Sequence, residues 1–586
     1  MSDKWWQSAV VYQIYPRSFA DSDGDGIGDL RGILSKLDYL AELGVDVIWL
    51  SPVYPSPQDD NGYDITDYQD VDPLFGTLAD LDRLVVEVHR RRMRIILDLV
   101  VNHTSIEHTW FAESRSSTDH PKRDWYWWRP PRAGMAAGEP GAEPTNWSSA
   151  FSGPAWTLDP TTGEYYLHLF SHTQPDLNWE NDEVRGAVYA MMRWWLDRGV
   201  DGFRMDVINL ISKDPSLPDG PVTAGRLLGD TSEAVVSGPR IHEFLQEMHR
   251  EVVAGRPEPL LMVGEMPGVT VQDARLFTDP DRGEVDMVFQ FDHVSMGPYK
   301  WNNQSPRLTD LKASLGRWQT GLAETGWNSL YLSNHDQPRV VSRFGDDSDY
   351  RVESATALAT VLHLHRGTPY VYQGDELGMT NATFDNIDDY RDIESLNHFA
   401  YATGTVGESP EDVLTIMRLV SRDNARTPMQ WDDSPNAGFS AGEPWIPVNP
   451  NYVEINAAAA RAHPDSVWHH YRKLIELRHT EPAVALGDFT MLLPADERVY
   501  AFTRRLAEVE LLVLGNLSGD SVTADIPDAD AWAGSELISV NYPRAARRSP
   551  TTHMGGVRQP APGPIALTLR PWEARIYRRS RPPTLA

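Results

Sequence analysis

The stretch RIILDLVVNH (94–103) decides the fold. It is a near-continuous aliphatic run, broken only by Asp98 and ending on Asn102 and His103. Such a run suits a strand buried on both faces of a parallel sheet, whereas a half-exposed strand would alternate apolar and polar residues. Runs of the same kind recur at 10–14, 45–50, 202–208, 260–265, 285–291, 329–333 and 369–373. Amphipathic stretches such as LRGILSKLDYLAELG (30–44) and LADLDRLVVEVHRRR (78–92) stand between them. Strand–helix repetition with eight candidate strands closes most naturally into an α/β fold, the (β/α)8 TIM barrel.

Two regions leave this pattern. After 101 the next convincing strand waits until 202, and the interval holds the Trp-, Pro- and Gly-rich WYWWRPPRAGMAAGEPGAEP (125–144). This reads as a subdomain (104–174) inserted on a barrel loop, with the barrel itself formed by 1–103 and 175–485. From about 486, RVYAFTRRL and VELLVLGNLSG are strand-like with turn residues between them, which predicts a C-terminal β-sandwich over 486–586.

Composition narrows the chemistry. The 586 residues carry 53 Lys+Arg against 84 Asp+Glu, a formal net charge of −31, with 20 Trp and no Cys. Thiolate metal sites, disulfides and cysteine nucleophiles are therefore excluded. An acidic surface repels phosphate backbones, so no nucleic-acid partner is expected. No apolar run approaches the length of a membrane span, and MSDKWWQSAV lacks the basic start and apolar core of a signal peptide. The expectation is a cytoplasmic protein without membrane contact, a monomer or weak homo-oligomer.

In a barrel of this kind the chemistry sits at the C-terminal ends of the strands. Those ends bring Asp98, Asp206, Glu265 and Asp336, together with His103, Arg204 and His335. A single strand-end carboxylate often only caps a helix or pairs with a neighbour, but several converging on one mouth suit glycosidic bond cleavage. One carboxylate attacks or stabilises the oxocarbenium-like centre, and another, kept protonated, protonates the leaving oxygen. Arg204, two residues before Asp206, falls on the same side of its strand. The chemistry alone does not say which acid takes which role.

In these residues and their order the chain resembles the α-amylase superfamily of glycoside hydrolases (family 13), most closely its oligo-1,6-glucosidase and dextran glucosidase branch. The segments that carry the likeness are DLVVNH (98–103), QPDLNWEN (174–181), GFRMDVIN (202–209), VGEMPGVT (263–270) and NHDQPR (334–339). VVYQIYPRSFADSDGDGIGDL, NGYDITDY (61–68) and SRDNARTPMQWD (421–432) add to it, so the likeness spans nearly the whole chain. The resemblance implies Asp206 as nucleophile, Glu265 as general acid/base and Asp336 as the third acid on the sugar hydroxyls. It implies His103, His335 and Arg204 as hydrogen-bonding partners of the terminal sugar, beside Asp98, with Tyr63 as the aromatic platform. Asp60 and an arginine of SRDNAR would hold the terminal 4-hydroxyl; Arg422 is favoured over Arg426, though the motif does not separate them.

The mechanism implied is retaining, with the two catalytic carboxyls roughly 5–5.5 Å apart. In this branch Val after the nucleophile, here Val207, accompanies α-1,6 cleavage, whereas Ala or Thr accompanies α-1,4-linked substrates or sucrose. Pro267 departs from the Trp usual in dextran glucosidases, which favours short isomalto-oligosaccharides. The arginine-rich loop of the sucrose-isomerising relatives is missing from FDHVSMGPYKWNNQSPR (291–307). An α-1,4-glucosidase, a sucrose hydrolase and a transglucosidase remain alternatives, and a non-catalytic relative is the remote one.

DSDGDGIGD (21–29) spaces Asp21, Asp23, Asp25 and Asp29 around two glycines, with the Ile27 carbonyl between, like the first nine positions of a calcium loop. Gly32 stands where an EF-hand has its bidentate Glu, so the loop is not an EF-hand. A solvated acidic turn is the plain alternative. The resemblance supports a structural Ca2+ or Mg2+ without a catalytic part, and no organic cofactor.

Overall fold

The computed structural model describes residues 4–223, 227–296, 300–302, 304–543 and 567–580. Eight parallel strands appear where the aliphatic runs predict them: β1 (Val11–Ile14), β2 (Val47–Leu50), β3 (Arg94–Leu99), β4 (Gly202–Met205), β5 (Leu261–Glu265), β6 (Met287–Phe289), β7 (Ser329–Leu330) and β8 (Thr368–Tyr372). Their order in the sheet is β7-β8-β1-β2-β3-β4-β5-β6, and an isolated parallel bridge between Val288 and Asn328 brings β6 to β7. The result is a nearly closed TIM barrel. The strands are lined by buried aliphatic residues on both faces because helices cover the outside and side chains fill the inside.

The helix Leu78–Arg90 shows how sequence sets this packing. Thr77 caps its first turn by accepting from Asp80 N, and Asp80 returns a bond to Thr77 N in a capping box. Its Leu81, Leu84, Val85 and Val88 recur at helical spacing and are buried against the sheet.

Several strands are shorter than their aliphatic runs. The run 202–208 is strand only to Met205, because Val207 adopts a left-handed conformation (φ 36°, ψ 39°) and Ile208–Leu210 form a helical turn. β6 and β7 likewise stop early, at Phe289 and Leu330. Between β3 and β4 the chain forms a three-stranded antiparallel sheet of Trp128–Arg129, Glu164–Leu167 and Trp156–Asp159. A five-stranded antiparallel sheet starting at Asp488–Met491 and a two-stranded ribbon share an apolar cluster that includes Val499, Leu512, Val522 and Leu569. Among the described residues, no helix is long and apolar enough to cross a membrane.

One element has no counterpart in the sequence reading. After β8 the helices Ile393–Tyr401 and Pro410–Val420 form a further excursion at the barrel mouth before the segment that carries Arg422.

Candidate active site

The ends of β3, β4 and β5 meet at one guanidinium. Arg204 is buried and donates through Nη1 to Asp98 Oδ1 at 2.8 Å and to Asp206 Oδ1 at 2.6 Å, while its Nη2 pairs with Glu265 Oε1. Alternation along β4 puts Arg204 and Asp206 on the same side. Asp98, fully buried, also accepts from Trp49 Nε1 at 2.9 Å and from the Tyr63 hydroxyl at 3.1 Å. Burial pushes its carboxyl up to about 6 against the pull of Arg204. Asp98 thus anchors Arg204 from below, and only Asp206 and Glu265 of these three acids line the cavity.

Glu265 is held well above the usual carboxylate range. Burial is the main cause, and Asp206 and Asp336 add to it, while Arg204 and the Val207 N–H oppose it. A carboxyl kept protonated near neutral pH can deliver a proton to a leaving oxygen. Asp336 goes the other way: burial would raise it, but the guanidiniums of Arg422, Arg426 and Arg204 pull it below the ordinary range. Its Oδ2 lies 3.1 Å from His335 Nε2, and its Oδ1 meets Arg422 Nη1 at 3.0 Å and Arg426 Nη2 at 3.2 Å. Burial keeps His335 neutral by lowering its pKa to about 3, and its Nδ1 lies 2.8 Å from Gln13 Nε2.

Asp206, Glu265 and Asp336 line one cavity of about 510 Å3 with Asp60, Tyr63, His103, Val207, His335 and Arg422. That volume falls within the range of small-ligand sites. Tyr63 lies flat on the His335 ring, with centroids 5.1 Å apart and planes 7° from parallel. His103 Nε2 sits 3.1 Å from the Tyr63 carbonyl and 3.2 Å from Gln174 Nε2. Phe151 and Phe170, from the excursion between β3 and β4, complete an aromatic wall.

The two arginines left open by the sequence separate clearly. Arg422 lines the cavity and reaches Asp60 Oδ1 at 3.3 Å as well as Asp336. Arg426 lies behind it, buried and off the cavity, and touches Asp336 and Asp392 Oδ1, both at 3.2 Å. Asp60 also accepts from Gln174 Nε2 at 3.0 Å, and burial raises its carboxyl to about 7 although Arg422 and Arg426 oppose this.

Several lining or supporting residues escaped the sequence reading. Asp392 accepts from Arg422 Nε at 2.8 Å and fixes both arginines. Glu394 and Lys300 line the cavity and pair at 2.5 Å, and Glu394 also meets Arg422 Nε at 3.4 Å. The acidic RDIES stretch was the only signal for Asp392 and Glu394, and nothing in it names their partners.

In the 21–29 loop, Asp21, Asp23 and Asp29 each present a carboxylate oxygen within 4.8 Å of the others. Asp25 is outside that group, with Oδ1 accepting from Ile27 N at 2.8 Å. The N–H groups of Gly24 and Gly26 fold onto Asp21 at 2.7 and 2.9 Å, and Gly26 is required because a Cβ there would lie 1.8 Å from the Glu443 carbonyl oxygen. Three converging carboxylates with no cation paired to them among the described residues fit a hard, oxygen-seeking ion.

A family model described as "Alpha amylase, catalytic domain" matches residues 13–487. The chain is 54% identical over 581 residues to an oligo-1,6-glucosidase of Parageobacillus thermoglucosidasius, covering 99% of each chain. Among solved structures it is similar to a trehalose-6-phosphate hydrolase of Bacillus licheniformis (45% identity, TM-score 0.88, 98% of this chain and 100% of that one). It is also similar to a trehalulose synthase of Pseudomonas mesoacidophila MX-45 (43% identity, TM-score 0.89, 98% and 99%).

Proposed function

We propose, on the premise that this chain belongs to the α-amylase family of glycoside hydrolases, that it removes glucose from the non-reducing end of short α-1,6-linked oligosaccharides with retention of configuration. The observation that carries the reading is the sharing of the Arg204 guanidinium by Asp206 and Glu265 at the mouth of the barrel. Carboxyls held on the two terminal nitrogens of one guanidinium stand side by side, as a retaining pair must; an inverting pair needs room for a water between them. The 54% identity to an oligo-1,6-glucosidase supplies the linkage, and Val207 agrees with it.

Asp206 attacks C1 of the terminal glucose while Glu265 gives its proton to the glycosidic oxygen, releasing the shortened sugar and leaving a glucosyl ester on Asp206. Glu265, now a carboxylate, takes a proton from water, whose oxygen attacks C1 and frees Asp206. Arg204 stays bound to both acids throughout and offsets the charge that moves between them. Asp336 and His335 face the sugar hydroxyls, Tyr63 lies under the ring, and Asp60 with Arg422 closes the far end of the cavity around the terminal 4-hydroxyl. A closed end restricts the enzyme to one unit per cleavage.

A phosphorylated disaccharide, the substrate in the name of the Bacillus licheniformis relative, suits this cavity poorly. Among the described residues the cations lining it, Arg422 and Lys300, are already paired with carboxylates, and Asp60, Asp206, Asp336 and Glu394 would repel a phosphate. Initial rates on isomaltose, maltose, sucrose and trehalose 6-phosphate test the reading. It predicts isomaltose as the best substrate, and faster turnover of any of the other three overturns it.

Asp21, Asp23 and Asp29 would hold a Ca2+ or Mg2+ that ties the 21–29 loop to the barrel and takes no part in the reaction. Removing the ion with a chelator should lower the thermal midpoint and leave kcat unchanged at temperatures where the protein stays folded; an unchanged midpoint sinks the assignment. The absence of cysteine supports a cytoplasmic site of action, and the acidic surface a monomer or weak homo-oligomer.

A further inference from the structure

Arg339 is a buried arginine held by backbone carbonyls. It stands in NHDQPR, three residues after Asp336, and is 1% exposed. Its guanidinium donates from Nε to the Asn424 carbonyl at 3.1 Å, from Nη1 to the Gln373 carbonyl at 2.7 Å, and from Nη2 to the Ala425 carbonyl at 3.1 Å. Nη2 also reaches the Thr427 carbonyl at 3.4 Å and its hydroxyl at 3.3 Å. No carboxylate among the described residues forms an ion pair with it. Burying an unpaired cation is costly, and only a full set of well-placed acceptors offsets that cost.

The acceptors belong to the end of β8 and to the turn around the short helix Asp423–Arg426, whose flanking residues include Arg422. Carbonyls at the C-terminal end of a helix attract cations, and the planar fork of arginine meets several at once. Two neighbours support this arrangement. The Tyr372 hydroxyl donates to the Ala425 carbonyl at 2.7 Å, and the Arg339 guanidinium lies 5.3 Å from the centre of the Tyr372 ring. Gly374 (φ +96°) leaves room for the guanidinium, since a Cβ there would stand 2.8 Å from Arg339 Nη1.

The loop after β7 and the 421–427 segment therefore exchange opposite groups. The loop gives the Asp336 carboxylate to Arg422 and Arg426, and it gives the Arg339 guanidinium to the carbonyls of the turn that carries them. We propose that Arg339 is a positioning residue for the sugar clamp: it fixes the backbone from which Arg422 reaches Asp60, and so sets how tightly the terminal glucose is held. The inference rests on the glucosidase reading above.

The test is steady-state kinetics of Arg339→Lys and Arg339→Ala on isomaltose and on an activated aryl α-glucoside, with thermal midpoints recorded alongside. Wild-type turnover of isomaltose tests the reading itself, so the two can fail separately. Lysine keeps the buried charge but cannot fork, and it is the variant to rely on if alanine does not accumulate. Arg339→Lys should raise KM about tenfold on both substrates with kcat within about threefold. In Arg339→Ala, guanidinium ion below its denaturing concentration should bring KM back toward the wild-type value, with no such gain in the wild type. A lowered midpoint with unchanged KM, or a fall in kcat alone, overturns the proposal, because a purely structural arginine would change the amount of folded enzyme and not its affinity.

Discussion

The backbone N–H of Val207 donates to Glu265 Oε2 at 3.0 Å, and Val207 makes that bond from a left-handed conformation (φ 36°, ψ 39°). A β-branched residue rarely holds such angles, which cost on the order of 1–3 kcal/mol. The strained residue follows the nucleophile directly, just past the end of β4 at Met205, and its turn points the N–H onto the acid. Backbone and side chain of Val207 therefore have separate duties: the N–H steadies the ionised form of Glu265, and the isopropyl group walls the cavity.

Val207→Gly separates the two. Glycine adopts these angles freely and keeps the N–H, so the alkaline limb of kcat/KM against pH should stay within about 0.3 pH unit of the wild type. The ratio of maltose to isomaltose turnover should rise by about tenfold or more. A displaced alkaline limb with an unchanged ratio would reverse the division of labour.

Glu265→Gln removes the proton donor but keeps the shape. Isomaltose, whose leaving sugar needs that proton, should lose about three orders of magnitude or more in kcat/KM. An aryl glucoside with an acidic phenol should lose about a hundredfold less. Equal losses on the two substrates would mean that Glu265 is not the general acid.

Asp60 should give substrate affinity its own pH dependence. Burial lifts its carboxyl to about 7 despite the nearby arginines, and the ionised form is the one that accepts the sugar hydroxyl and pairs with Arg422. Affinity for isomaltose should therefore weaken as pH falls through about 7, where Asp60 gains its proton. Asp60→Asn should raise KM about five- to tenfold and flatten its variation between about pH 6 and 8. A variant with wild-type KM across that range contradicts the clamp.

The barrel was legible because burial on both faces forces aliphatic runs into the strands, as in RIILDLVVNH, and because Asp98, Asp206, Glu265 and Asp336 interrupt or close those runs. The strand lengths were less legible: nothing in GFRMDVI (202–208) marks a strand end, and β4 stops at Met205 because the chain goes on into the left-handed Val207 and the helical turn after it. Arg422 and Arg426 are four positions apart in one motif, yet only packing tells which faces the cavity. The helices after β8 escaped notice, and with them Asp392 and Glu394. An acidic residue in an amphipathic stretch reads as a solvated face until the partner, some thirty residues away at Arg422, is brought against it.

Proton NMR of isomaltose hydrolysis, followed from the first seconds before the anomers of glucose equilibrate, tests the account most directly. A glucosyl ester on Asp206, opened by water that Glu265 activates, inverts C1 twice. The first glucose released from the non-reducing end must then be the α-anomer, and its appearance should be abolished in Asp206→Ala. If β-glucose appears first, Asp206 and Glu265 do not work as the side-by-side pair on Arg204 described here, and the double displacement is wrong.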